Sequence, residues 1–459
     1  TQDNEIHIRG GRIDESMFIV DGFSVKDPLS GYSGNLFVNA DAIEELEIIT
    51  GGYSAEYGQA MSGVINIKLK EGRDYYEGAI KYASDRFLSG NSNSDRIEFN
   101  FGGPDLFFQT IPGVFGADLP GRFSFFLNGY GKMYDGNLPI ASKLYPHRYW
   151  SSSIISEEKS DKFMDRLAPR ENNDWHLLYK TTWELTPQKK LFVSYDASMN
   201  INQGYYMPRA FASTYFPYQY MNILDNYNTI TRDTRLINMN WTHTLSTKSF
   251  YQFTLGKFTT MEHSAVQDLP WTDYQERLDL EPINYNIDNT DQDGNIQITY
   301  GDEFYDTGFA PEWYDLSSEN TRMDIDWTYH TETRHKLKTG FEHTITDIQV
   351  LDIDEPWSGS SGFGANYDSY NAKTYFGAFY FQDRIIFEGM TLNIGFRTDY
   401  WIPGRYVEDA IQDTSNIIIT DEARVIFEEE TFDFPWAGDP FKMKARISPR
   451  FGISHPVTD

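Results

Sequence analysis

"TLNIGFRTDYW", residues 391–401, alternates without a break. Successive side chains of a strand point to opposite sides, so Leu392, Ile394, Phe396, Thr398 and Tyr400 share one face, and Asn393, Gly395, Arg397, Asp399 and Trp401 the other. Such a strand serves two architectures. It is the half-buried strand of an antiparallel sheet in water, or one stave of a membrane-spanning barrel, and parity alone does not separate them.

Outward from this stretch, the chain after Glu77 is a series of extended segments of roughly ten residues, the length that crosses a bilayer at a tilt. There are about a dozen of them, "GRFSFFLNGYGK", "KKLFVSYDASMN", "TRLINMNWTHTL" and "TYFGAFYFQDRIIF" among the clearest. Their connections alternate. Residues 186–190, 246–248, 331–336 and 387–390 read as tight turns, whereas 132–173, 202–225, 262–319, 352–372 and 403–440 read as long acidic or aromatic loops. Bacterial barrels have this asymmetry, with short turns inside and long loops outside. A sandwich in water has no reason for it, and no propeller or solenoid repeat emerges.

Composition agrees without deciding. Hydrophobic residues are 40% of 459 and mean hydropathy is -0.54, but a barrel hides in such averages because every lipid-facing residue alternates with a polar one. No stretch approaches the roughly 18 apolar residues of a spanning helix. Aromatic residues are 16%, and Tyr and Trp suit a membrane boundary, although aromatic-rich propellers and carbohydrate-binding sandwiches also use them. With no cysteine, disulfides, thiolate catalysis and cysteine-ligated metals are excluded. The net charge of -29 makes nucleic acid a poor partner. The chain opens at "TQDNEIHIRGG" with no basic, then apolar, leader, as expected if a signal has been removed or the chain starts inside a larger protein.

Residues 1–72 read as a small, glycine-rich α/β domain, and 73–459 as the strand series. "EIHIRGGR" and "MFIVDGFSV" look like strands ending at glycine. "NADAIEELEII" opens with Asn39 and Asp41 as helix caps and then alternates as a strand. In "GVINIKLK", Ile65, Ile67 and Leu69 share a face opposite Asn66, Lys68 and Lys70.

"IHIRGG", "FIVDGFSV" and "AIEELEIITGGYSAEYGQAMSGVINIKLKEG" occur in that order, and together resemble the plug domain of TonB-dependent outer-membrane transporters. The resemblance runs almost continuously over residues 6–72. "YFQDRIIFEGMTLNIGFRTDYW" and "ISPRFGISHP" are similar to mid-barrel strands of the same family. It implies a mostly β fold, a transmembrane antiparallel β-barrel of about 22 strands with a plug in its lumen, of which about a dozen are here. The "GGYSAEYGQAMSG" style resembles the Bacteroidota, SusC-like branch. The resemblance implies an energy-coupling TonB box before "EIHIRGG", expected in a segment outside this chain. An open barrel edge in lipid leaves unpaired backbone groups costing several kcal/mol each, so the chain is expected to be part of a longer polypeptide.

The plug-motif residues are Arg9, Gly10, Asp21, Gly22, Glu44, Glu47, Gly51, Gly52, Tyr57, Gly58, Gly63 and Asn66. The glycines are expected to permit turns, Asp21 and Gly22 to make one, and Arg9 to pair with Glu44 or Glu47 within the plug or against the barrel. Residues 26–36 form a candidate plug loop in which Tyr32 and Asn35 face substrate. Phosphate-loop, GxSxG and HExxH patterns are absent, so no enzyme is expected. His330, His335 and His343 fit no zinc spacing and are expected to be solvated turn residues. "DNTDQDGNIQ" repeats the first half of a calcium loop, with Asn289, Asp291, Asp293 and Asn295 as candidate ligands, but Tyr300 stands where the bidentate glutamate belongs. The calcium reading competes with a solvated acidic loop, and no other cofactor is implied.

Two functions are in play. The first is a TonB-dependent transporter in the outer membrane of a Gram-negative bacterium, taking up a glycan, peptide or other nutrient through a plugged barrel. Its partners would be outer-membrane lipid, the TonB complex and a surface lipoprotein lid. The second is a structural or docking subunit of an outer-membrane complex that holds a surface lipoprotein without transporting anything.

Overall fold

The computed structural model describes residues 8, 10, 15–29, 36–50, 54–58, 62–85, 93–105, 108, 119–135, 141, 144, 172–203, 217–280, 284–290, 296–299, 304–359, 362–415, 419–434 and 441–455. Two sheets dominate. The first comprises β1 (Ser16–Val20), β2 (Phe23–Ser24), β3 (Ile43–Ile49) and β4 (Gly63–Leu69), in the order β2-β1-β4-β3. β1 runs parallel to β4, while β2 and β3 pair antiparallel at either side. β1 turns into β2 through Asp21 (φ 46°) and Gly22 (φ 84°), the left-handed region that glycine and aspartate tolerate. A single 3₁₀ turn, Ala40–Ala42, precedes β3, and the Asn39 side chain caps it by accepting from the Asp41 N–H.

The second sheet is an antiparallel meander. Its strands are β5 (Glu77–Ser84), β6 (Asp95–Pro104), β7 (Arg122–Tyr134), β8 (Asn172–Thr186), β9 (Lys189–Asn202), β10 (Thr229–Ser246), β11 (Ser249–Ala265), β14 (Glu312–His330), β15 (His335–Asp354), β16 (Asn366–Phe387), β17 (Met390–Ile402), β18 (Phe432–Phe434) and β19 (Phe441–Ser454). Sequence neighbours are spatial neighbours throughout, except that β12 (Asn284–Thr290) and β13 (Ile296–Thr299) form a separate hairpin between β11 and β14. Among the described residues, β5 pairs with β6 alone and β19 with β17 and the short β18, so the sheet is open at both edges.

One end of this wall carries tight turns at 187–188, 247–248, 331–334 and 388–389; the other carries the long connections. The expected asymmetry is present with three differences. The strands run further than their periodicity implied, so the longest loop shrinks from 262–319 to 266–311. The tight-turn end also holds a long link, 105–121, and residues 403–440 contain helices α1 (Arg405–Gln412) and α2 (Asp421–Glu430). The second helix had a legible start, since Thr420 accepts from the Ala423 N–H and Asp421 and Glu422 fill the first turn.

Polarity across the wall is inverted relative to a protein in water. The buried face is polar, with Asn128, Lys180, Asp196, Asn238, Ser318 and Arg397 all nearly or wholly inaccessible. The opposite face exposes Ile237 (52%), Phe379 (47%), Ile394 (45%) and Phe396 (42%). Patches this apolar are rare on water-facing surfaces and normal on a lipid-facing barrel. Among the described residues no helix is long and apolar enough to cross a membrane.

The small sheet sits on the polar face. Its Val20, Phe23, Val25, Ile65, Ile67 and Leu69 form one cluster with Phe126, Leu178, Leu236 and Phe258, which come from four wall strands. The Phe23 ring lies where a side chain at Gly256 would be, so glycine there is required by close approach. Since β7–β11 and β14–β17 all contact the small domain, the wall must curve around it.

Candidate functional site

Three sets of contacts hold the small domain to the wall and enclose a polar chamber. At the β1–β2 turn, Asp21 Oδ1 accepts from the Leu69 N–H at 3.0 Å, and Asp21 Oδ2 accepts from Lys180 Nζ at 2.9 Å. Asn238 donates to the Asp21 carbonyl at 3.1 Å, and Lys180 also donates to the Leu69 carbonyl at 3.2 Å. Burial pushes the Asp21 carboxyl above its usual range, and the Lys180 ammonium opposes that shift. Glu71 bridges Lys180 and Lys190 where β4 leaves the small sheet. Nearby, the Lys81 ammonium holds the Asp41 carboxyl below the usual carboxylate range.

The second set grips "SAEYG", residues 54–58. Gln382 Oε1 accepts from Ser54 Oγ at 2.6 Å and from the Ala55 N–H at 2.7 Å. Arg397 donates to the carbonyls of Ala55 (3.3 Å) and Glu56 (3.0 Å), to Asp399 at 2.6 Å, and to Glu342. Lys338 pairs with Glu56, and Tyr380 donates to Asp326. Arg322 joins Asp324 and Glu342. A planar fork with five donors is suited to this position, because it serves two carboxylates and two carbonyls at once.

The third set lies nearer the long loops. Ser318 donates to Asp27 Oδ1 at 2.8 Å, Asn320 donates to the Lys26 carbonyl at 3.0 Å, and the Phe37 ring lies tilted against Tyr130 with centroids 4.7 Å apart.

Between these contacts lie two adjoining cavities of about 440 and 280 Å³, which share Met17, Ser24, Arg322 and Glu342. The larger is bordered by Asp21, Glu71, Lys180, Asp326 and Lys338, toward the tight-turn end; the smaller reaches Asp27 and Asn320, toward the loops. Their walls are charged and hydrogen-bonding, and among the described residues they hold no nucleophile–base pair. The arrangement suits a hydrated path beside a displaceable domain.

Above the chamber the long connections pack together. Tyr220, Leu224, Val266, Tyr274, Ala310, Trp313 and Ile353 form a second core, with Trp271 edge-on to Trp313 at 5.1 Å. Burial pushes the Tyr227 hydroxyl up to about 12.

The motif residues take several different places. Asp21, Gly22, Gly58 and Asn66 border the chamber, and Tyr57 packs beside the Met17, Ile19 and Val64 cluster. Gly10 is a left-handed turn residue (φ 74°). Gly58 and Gly63 are not turn glycines: a side chain would strike the Arg397 guanidinium at the first and Ile8 at the second. Glu44 and Glu47 are exposed on β3 and make no ion pair among the described residues. Arg9, Gly51, Gly52, Tyr32, Asn35, Asp291, Asp293 and Asn295 lie outside the described residues, and Asn289 is placed only as part of β12. Among the described residues no three acidic, histidine or cysteine side chains cluster as a metal site. His343 is no turn residue; it sits within β15 on the outward face, with Nδ1 2.6 Å from the Tyr400 hydroxyl. The reading missed Lys180, Lys338, Gln382 and Arg397. The available signal was Arg397 and Asp399 on one strand face, since a buried-face arginine needs several acceptors.

Residues 1–64 match the family described as TonB-dependent Receptor Plug Domain. Among curated relatives, the TonB-dependent transporter Oar of Myxococcus xanthus is 32% identical over 75 residues, 16% of this chain and 7% of that protein. The probable TonB-dependent siderophore receptor PirA of Acinetobacter baumannii is 32% identical over 112 residues, 22% of this chain and 15% of that protein. Among solved structures, the outer-membrane transporter YddB of Escherichia coli superimposes with a TM-score of 0.54 at 12% identity, over 98% of this chain and 52% of that one. The FpvA–pyoverdine–iron complex of Pseudomonas aeruginosa gives 0.52 at 14%, over 96% and 48%. This chain therefore spans about half the length of those two structures and a smaller share of the curated relatives. The fold is that of the plugged outer-membrane barrels, the location is the outer membrane of a Gram-negative bacterium, and the relatives are transporters and receptors, not enzymes.

Proposed function

We propose that this chain is the plug and first barrel strands of a TonB-dependent transporter that admits a ligand along the chamber when the plug is displaced from the periplasmic side. The observation that carries this reading is the kind of contact holding the plug. Beside the apolar cluster around Phe23, it is tied to β8, β10 and β14–β17 by hydrogen bonds and ion pairs bordering two polar cavities, contacts that water can replace when the plug moves. A bound siderophore is the ligand class suggested by the descriptions of PirA and FpvA; glycan and peptide remain the alternatives suggested by the aromatic loops. The SusC-like branch, with its lipoprotein lid, rests on the style of residues 51–63 alone. A calcium ion at Asn289, Asp291, Asp293 and Asn295 rests on the spacing alone.

A tether tests the proposal. The chain has no cysteine, so Asp27→Cys with Ser318→Cys, at a contact of 2.8 Å in the native pair, introduces one plug-to-wall disulfide without competing thiols. Cells carrying the whole protein are offered iron-loaded siderophores, fluorescent oligosaccharides and peptides. At least one probe should accumulate in the periplasm, stop doing so in the oxidised variant, and resume on reduction. Surface binding without accumulation would replace transport with the docking role, and accumulation indifferent to the tether would overturn plug displacement as the route of entry.

A further inference from the structure

On the outward face of the wall, toward the long-loop end, a cavity of about 1260 Å³ lies beneath the segment that follows β17. Its floor includes Phe341 of β15, Tyr375 of β16 and Tyr400 of β17. All three have the parity opposite to Glu342, Tyr380 and Arg397, which face the plug. Its far side includes Tyr406 of α1 and Phe434 of β18. The register sets its height. Gly377 and Tyr400 are paired about ten residues above the 388–389 turn, the length of one tilted span, so Tyr375 and Tyr400 stand at the aromatic boundary of the outer leaflet. Phe341 lies below that level, opposite Phe379, and Lys373 lies above it.

The cavity borders the lipid-facing band, so its natural occupant is hydrocarbon, and its Lys373 stands above the Tyr375–Tyr400 level, at headgroup height. The charges there are uneven. Arg405 is paired with Glu408, Lys442 with Glu428, and Lys444 with Glu430, but exposed Lys373 makes no ion pair among the described residues. We propose that this cavity takes an acyl chain of a phosphate-bearing glycolipid of the outer leaflet, with Lys373 set against the phosphate. The inference rests on the outer-membrane reading. Segment 404–408 and Phe434 hold the chain against the wall, and the lipid in turn fixes the segment.

The test uses the whole protein in phosphatidylethanolamine nanodiscs doped with lipid A, stripped stepwise in a native mass spectrometer. One lipid A should stay bound after the disc lipid is gone. Ala445→Trp, which fills the cavity, should abolish retention, and Lys373→Glu should weaken it about tenfold, the loss of one charge-assisted contact. Heat-modifiable migration on gels shows that each variant still folds. Failure to enter the discs overturns the outer-membrane reading together with this inference. Stable insertion with no retained lipid A, with equal retention in both variants, with phosphatidylethanolamine held as firmly, or with a lipoprotein's acyl chain in its place overturns this inference alone.

Discussion

At the residue scale, Arg397 carries the grip on the plug. Its guanidinium is wholly buried and serves Glu342, Asp399 and the carbonyls of Ala55 and Glu56. Removing one partner of such a cluster leaves the others desolvated, so Arg397→Ala should cost about 3–5 kcal/mol. Arg397→Lys should recover little of this, since an ammonium has the charge without the fork. The measurement is limited proteolysis at the plug across a urea series. Both variants should release it earlier than the parent, and parent-like protection would mean that the apolar cluster around Phe23 holds the plug alone. Gly58 shows why this residue was hard to find. In the sequence it reads as a turn glycine, but its role is to leave space for an arginine more than three hundred positions away.

At the element scale, alternation was the legible property. Residues 391–401 divide in the structure as they divide in the sequence, with Ile394 and Phe396 exposed outward and Arg397 buried inward. The helices in 403–440 are hidden in a long acidic connection, where the cap at Thr420 with Asp421 and Glu422 is the main sign of a helix start. The packing of the long connections into one core was not legible either, since it depends on segments brought together only by the curved meander. Trp313 anchors that core through its ring contact with Trp271 and through Nε1, which donates to the Leu269 carbonyl at 3.1 Å. Trp313→Ala should cost the cap about 3–5 kcal/mol, as large buried rings do. Proteolysis of 266–311 should speed up while heat-modifiable migration of the barrel stays unchanged; joint loss of both would make the cap and wall one cooperative unit.

At the scale of the whole molecule, the two sheets depend on each other's polarity. A wall with asparagine, lysine and arginine on its inner face needs a polar occupant, and the plug supplies backbone carbonyls, Asp21, Asp27 and Glu56 to meet them. The sequence showed a polar and an apolar face on each strand but not which one faced in, because a sheet in water and a barrel in lipid share the same parity. Only the placement of the plug on the polar face resolves it. Single cysteines in the otherwise cysteine-free chain test this directly: Ile237, Phe379 and Ile394 outward, Asn238, Ala378 and Asn393 inward. Each is spin-labelled in the whole protein in lipid, and collisions with oxygen and with a water-soluble nickel chelate are compared. The fold described here predicts oxygen-dominated relaxation at the three outward sites and not at their inward neighbours. Nickel-dominated relaxation at the outward sites would contradict it and make the wall a sheet that stands in water.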